Sequence, residues 1–163
     1  MTAPGPRDAD SLRATFALAL EARQAGHRPF GALVADANGE IARAHSTQGA
    51  GGDATQHAEM NALRAAMAGA PRARLAEATL YASNEPCAMC ASAAFYAGVR
   101  RIVFGFPESR LRPLRNRTTR GAGLAWSCRE ILARAAEPVE ILGPCLEDEA
   151  ARPHEGYWDA EPA

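Results

Sequence analysis

Two short segments constrain this chain more than any other feature. One is His57-Ala58-Glu59. The other, after 26 intervening residues, is Pro86-Cys87-Ala88-Met89-Cys90. Together they offer one imidazole and two thiols, and the carboxylate of Glu59 is not needed as a further ligand. Zn²⁺ takes nitrogen and sulfur donors in tetrahedral sets, and a catalytic site uses three protein ligands and keeps one position open. His57, Cys87 and Cys90 fit that description. Zinc also lowers the pKa of a bound water from about 15.7 to about 7, and Glu59 is placed to handle the protons. Cys-x-x-Cys alone serves redox chemistry or half of a structural metal site. A redox pair has no use for His-x-Glu, however, and a structural site needs a fourth ligand. Cys128, Cys145, His27, His45 and His154 are scattered and make no second pair. Any fold for this chain must therefore bring two distant segments to one ion.

The resemblance extends beyond the ligands. Asp53-Ala54-Thr55-Gln56-His57-Ala58-Glu59-Met60-Asn61-Ala62-Leu63-Arg64 resembles the zinc-histidine helix of the cytidine-deaminase-like superfamily. Glu85-Pro86-Cys87-Ala88-Met89-Cys90-Ala91-Ser92-Ala93 is similar to the paired-cysteine helix of its bacterial branch, which holds guanine deaminases and tRNA adenosine deaminases. The likeness runs from about residue 10 to about residue 105 and more weakly to the end. It implies a zinc-dependent hydrolytic deaminase with Glu59 as the catalytic acid/base.

The rest of the composition narrows the class. A chain of 163 residues with 47% hydrophobic and 23% charged content is an ordinary single globular domain. The net charge of −1 gives no overall field for nucleic acid or membrane. All 18 basic residues are arginine, which we read as a compositional bias. The four cysteines suit a reducing compartment better than a disulfide framework. Residues 1–9 are polar, with no signal-peptide pattern, and are expected to be disordered. No apolar run is long enough to span a bilayer, so a cytoplasmic location is expected. The domain is expected over 10–150, with an aromatic, acidic tail over 151–163.

Along the chain, Asp10-Ser11 caps a helix predicted to reach about Ala25, where Gly26 stops it. Pro29 to Ala35 reads as a strand, Asp36-Ala37-Asn38-Gly39 as a turn, and Glu40 to Ala44 as the returning strand. A polar, glycine-rich loop covers 46–56. Helices are predicted from His57 to about Ala68 and from Cys87 to about Gly98, each ligand group lying near a helix start. Strands are predicted over 78–82, 100–105 and 138–142. Ser127 caps a helix to Ala135, which makes a parallel crossover between the last two strands. In 106–126 the arginines Arg110, Arg112, Arg115, Arg117 and Arg120 show no helical period. That stretch reads as a solvated loop, or as a guide for an anionic substrate. Motifs and element order together give an α/β fold, a three-layer α/β/α sandwich on a five-stranded mixed sheet.

The resemblance implies more about the site. The backbone N–H of Ala58 is a substrate donor in the family. Pro29-Phe30-Gly31-Ala32 resembles the first strand of guanine deaminases, so Phe30 either borders the pocket or packs in the core. Many relatives carry an asparagine where this chain reads His45-Ser46-Thr47, so Ser46 or Thr47 bonds the substrate, or it is read elsewhere. Tyr157 and Trp158 anchor the tail, either in a surface groove or as a lid, with Trp158 over the substrate. Relatives are homodimers, and the small residues Ala88, Ala91, Ser92, Ala93 and Ala94 permit close approach of a second copy or of the chain's own sheet. The expected substrate is a free, guanine-like nucleobase or related amino-heterocycle. The alternatives are a tRNA adenosine, cytosine or a nucleoside, and a zinc-binding partner without activity. The acidic tail speaks against tRNA.

Overall fold

The computed structural model describes residues 4–48, 52–115 and 124–159. Helix α1 (Pro6–Gln24) is followed by strands β1 (Gly31–Asp36) and β2 (Gly39–His45), helix α2 (Ala58–Gly69), a short α3 (Arg72–Ala76) and β3 (Thr79–Asn84). Then come α4 (Ala88–Ala97), β4 (Arg101–Phe106), α5 (Glu108–Arg115), α6 (Cys128–Leu132), β5 (Glu140–Leu142) and α7 (Glu147–Ala151), which runs into a 3₁₀ turn, Arg152–His154. The strands form one sheet in the order β2-β1-β3-β4-β5. The β1 pairs are antiparallel, whereas β3–β4 and β4–β5 are parallel. This is the expected mixed five-stranded sheet.

Alternation along the strands builds two cores. Ala32 and Val34 of β1, Leu80 and Ala82 of β3, and Ile102 and Phe104 of β4 pack with α2, α4 and α6 on one face. Leu33 and Ala35, Tyr81 and Val103 pack with α1 and α7 on the other. The period of two sends consecutive residues to opposite faces, so a sheet covered on both sides reads as continuous apolar runs. Helix α1 lies very close to the sheet. A Cβ at Gly31 would come within 2.2 Å of the Thr15 carbonyl oxygen, and one at Gly105 within 2.6 Å of the Phe16 ring. The small residue in Pro29-Phe30-Gly31-Ala32 is thus required by helix packing.

Three expectations are revised. Helix α1 begins at Pro6 rather than Asp10, so residues 6–9 belong to a helix. Proline suits a first helical position, and Asp8 is held there by Arg101 at 2.9 Å and by the Tyr81 hydroxyl at 2.8 Å. The arginine-rich stretch opens as helix α5 and not as a loop. Its arginines are paired: Arg112 and Arg115 with Glu108, and Arg110 with Glu147. Arg117 and Arg120 lie outside the described residues. The tail, finally, continues the fold. Trp158 is 2% exposed and joins Leu12, Phe16, Leu33 and Tyr81 in the second core.

The tail is latched through His154. Its Nδ1 accepts the Trp158 indole N–H at 3.1 Å. The neutral ring therefore carries its proton on Nε2, 3.2 Å from Asn84 Oδ1. Burial, followed by the positive Arg23 and Arg115, lowers the His154 pKa to about 3. Unfolded histidine titrates near 6.5. The unfolded chain thus binds more protons between these values, and stability falls as pH drops below about 6.5. From pH 7 to pH 5 this group alone removes about 2 kcal/mol. Urea unfolding of the zinc-loaded protein at the two pH values should show His154→Gln losing less stability than wild type by about that amount. Equal losses would contradict the buried neutral histidine.

Candidate active site

The metal-binding residues stand where two helices begin. His57 is the N-cap of α2, with extended backbone at φ −69° and ψ 153°. Cys87 is the N-cap of α4, and Cys90 lies in its first turn. The first N–H groups of each helix have no partner inside it, and the aligned peptide dipoles give these ends partial positive charge, which favours thiolates. The donor atoms converge. His57 Nδ1 is 3.6 Å from Cys87 Sγ and 3.5 Å from Cys90 Sγ, and the two sulfurs are 3.6 Å apart. Tetrahedral zinc, with Zn–S about 2.3 Å and Zn–N about 2.0 Å, needs separations of about 3.8 Å between sulfurs and about 3.6 Å between sulfur and nitrogen. The triad fits zinc in donor type and in spacing. It is also the group of potential ligands that the described residues bring together.

Without the ion, the charges are awkward. The Cys87 thiol, hydrogen-bonded by Cys90 and then by His57, drops to about 4. Cys90 is pushed well above the usual thiol range, first because it shares its proton with Cys87 and then by burial. His57 is raised by its bond to Cys87. Glu59 is 7% exposed in the first turn of α2. Burial, and next the Cys87 thiolate, raises its pKa to about 7. A divalent cation at the triad would hold both sulfurs as thiolates and favour the ionised carboxylate.

A cavity of about 340 Å³ opens in front of the triad. His57 and Cys87 form part of its wall, together with Gln48, Glu85, Arg115 and Trp126. Among the expected site residues, Glu59 and Ala58 are brought to the triad by α2. Phe30, Ser46 and Trp158 are not on the cavity wall. Phe30 meets His154 at 5.6 Å and Trp158 at 6.3 Å between ring centroids, with the rings tilted by 58° and 53°. It packs against both cores and against the tail, and Trp158 is committed to the second core. The Ser46 hydroxyl donates to the Gln56 carbonyl at 3.4 Å and accepts the Gln48 N–H at 3.3 Å. Thr47 Oγ1 donates to Gln56 Oε1 at 2.6 Å and accepts from Asn61 at 3.1 Å. Both hydroxyls therefore tie the loop down.

Sequence reasoning missed two features of the wall. Glu85 Oε2 accepts the N–H of Glu108 at 3.1 Å, and Oε1 accepts that of Cys128 at 3.1 Å. One carboxylate thus serves the first residues of both α5 and α6 and joins both to the metal loop. The acid immediately before Pro86-Cys87 is visible in the sequence, but its partners lie 23 and 43 residues away. Leu124 and Trp126 are 69% and 55% exposed, and both line the cavity. They supply apolar surface at its edge.

Residues 7–106 match the cytidine and deoxycytidylate deaminase zinc-binding region. The chain belongs to that family. It is a zinc-dependent hydrolytic deaminase, and the match contains the triad and Glu59. A probable cytosine deaminase of Schizosaccharomyces pombe is 38% identical over 153 residues, which cover 94% of this chain and 93% of that relative. A tRNA-specific adenosine deaminase of Haemophilus influenzae is 38% identical over 99 residues, or 60% of this chain and 57% of that protein. The structure of a guanine deaminase from Nitrosomonas europaea superposes with a TM-score of 0.71 at 21% identity, over 98% of this chain and 88% of that one. The last similarity is one of fold. When bound at this deaminase's triad, zinc supplies the Lewis acidity that makes water nucleophilic at neutral pH.

The three donors should act as one site. Metal analysis of purified Cys87→Ala should find zinc well below the one ion per chain expected for wild type. Full occupancy in that variant would remove Cys87 from the ligand set.

Proposed function

We propose that this deaminase acts on a free nucleobase, replacing a ring amino group by a carbonyl oxygen with release of ammonia. The reaction consumes one water: its oxygen bonds to the amine-bearing ring carbon, and the C–N bond to the amine breaks. Glu59 takes the water's proton and passes protons to the ring nitrogen and then to the departing amine. The Ala58 N–H, at the start of α2, is the donor proposed to orient the ring.

The observation that carries the choice of a small substrate is the cavity itself. At about 340 Å³ it lies near the lower end of the range for small-molecule sites. Its apolar edge, Leu124 and Trp126, suits a flat ring. Phosphate recognition by arginine would dominate tRNA binding. Here Arg110 and Arg112 are paired with carboxylates, and α7 presents Glu147, Asp148 and Glu149. These features support a free base over an adenosine in tRNA. Between bases, the Schizosaccharomyces pombe relative, matched almost end to end, favours cytosine. The fold shared with the Nitrosomonas europaea enzyme keeps a guanine-like purine as the second reading.

Ammonia release should be measured from cytosine, guanine, adenine, their nucleosides and a tRNA anticodon stem-loop. At least one free base should give the highest kcat/KM, and Glu59→Gln should keep its zinc while losing nearly all turnover on it. Highest activity on the stem-loop would overturn the free-base reading.

Assembly belongs to the same proposal. Tyr96 on α4 is 74% exposed and Met67 on α2 is 50% exposed, so the helices that carry the metal ligands leave apolar surface uncovered. A second copy of the chain is the proposed cover. No described helix is long and apolar enough to cross a membrane. The described cysteines are all free, in keeping with the proposed cytoplasmic location. Light scattering at micromolar concentration should give the mass of a dimer, and a monomer mass would end this part of the proposal.

A further inference from the structure

Gln48 lies on the wall of the cavity, with His57 and Cys87. Its backbone is held on both sides: the N–H donates to Ser46 Oγ at 3.3 Å, and the carbonyl accepts the Arg28 N–H at 3.4 Å. Its side chain is in a different state. The carboxamide oxygen is buried and has no hydrogen-bond partner among the described residues. A buried acceptor without a donor costs about 1–3 kcal/mol, and such a group in a folded protein calls for a reason. The neighbouring polar side chains are already engaged. Ser46 bonds Gln56 and Gln48, and Thr47 bonds Gln56 and Asn61. Among the described residues of this loop, Gln48 therefore lines the cavity and keeps its amide oxygen uncommitted.

We infer that Gln48 is a specificity-determining residue whose carboxamide oxygen accepts an N–H from the edge of the substrate ring. The inference rests on the free-base reading above. The terminal torsion of glutamine is broad, so a turn of the carboxamide brings the oxygen from the wall to the cavity without moving the anchored backbone. A carboxamide also carries N–H donors. It therefore matches a ring edge in which an N–H stands beside a carbonyl, as in both free cytosine and free guanine. The hydrocarbon part of a base has no use for such a group. The cavity would thus select rings that present this pair over rings of the same size that lack the N–H, since a site built to hydrogen-bond a substrate discriminates strongly against analogues without the bonding group.

The test compares wild type with Gln48→Met, a side chain of similar length without hydrogen-bonding amide atoms. Three measurements are made on zinc-loaded protein: steady-state kinetics on the best free base of the panel, zinc content and the thermal midpoint. KM should rise at least tenfold, with kcat within about threefold, because the bond orients the ground state and the transition state alike. Zinc content should be unchanged. The midpoint should not fall, because the acceptor has no donor among the described residues to lose. An unchanged KM with turnover intact would overturn the role of Gln48 and leave the free-base reading standing. A fall in midpoint or zinc content with KM unchanged would show a purely structural residue, and overturn it as well. Wild type that turns over no free base would refute the free-base reading and this inference with it. Calorimetric titration of cytosine and guanine into Glu59→Gln, with and without Gln48→Met, reads the same contact without catalysis. The second substitution should weaken binding tenfold or more.

Discussion

Three electron-rich atoms held 3.5 to 3.6 Å apart repel one another unless positive charge sits among them. Much of this chain's architecture exists to hold them there. The nitrogen and the two sulfurs come from the starts of α2 and α4, where partial positive charge already offsets some of the repulsion. Both helices lie on the same face of the sheet and share its first core. The parallel β3–β4 crossover carries α4 across that face, and β2 leads through its loop into α2. Zinc held by this triad would complete the balance and favour both sulfurs as thiolates, with Glu59 buried two residues from the imidazole.

The C-terminal end of β3 ties this centre to the rest of the molecule in two directions. Asn84 meets His154, which in turn holds Trp158 within the second core. Glu85 bonds the first residues of α5 and α6, and Glu108 and Arg115 of α5 line the cavity with Leu124 and Trp126. Adjacent strand residues face opposite layers, so one short segment, 84–87, connects the tail, the metal and the cavity wall. The tail acts in this scheme as packing behind the site. Its rings pack on Phe30 and do not line the cavity.

Much of the chemistry was legible in the residues because metal ligation leaves a local mark. His57-Ala58-Glu59 and Cys87-Ala88-Met89-Cys90 each place donors within one helical turn, and the turn is a property of the segment itself. Ser127 was read as a cap for the same reason, and the structure adds its reciprocal bond with Glu130. Continuous apolar runs marked β1 and β3 because both faces are covered. Helix α5 was hidden: its arginines mask an apolar stripe reduced to Leu111, and its support comes from Glu108, Glu147 and Glu85. The placement of Trp158 was equally hidden, since an aromatic pair near a terminus serves a lid or a core with the same side chains.

Through its resemblance to a known family, the sequence determined the metal, the mixed α/β sheet and the class of reaction, and it named Glu59 as the proposed acid/base. Each rests on that resemblance, which is carried by residue types at short spacing within single segments. Only the tertiary structure decided what surrounds the reacting ring. It committed Ser46 and Thr47 to the loop, Trp158 to the core and Gly31 to α1, and it placed Gln48, Glu85 and Trp126 at the cavity. Those assignments depend on contacts between segments far apart in the chain, and a hydrogen-bonding side chain carries no sign of its partner until the fold has brought the two together.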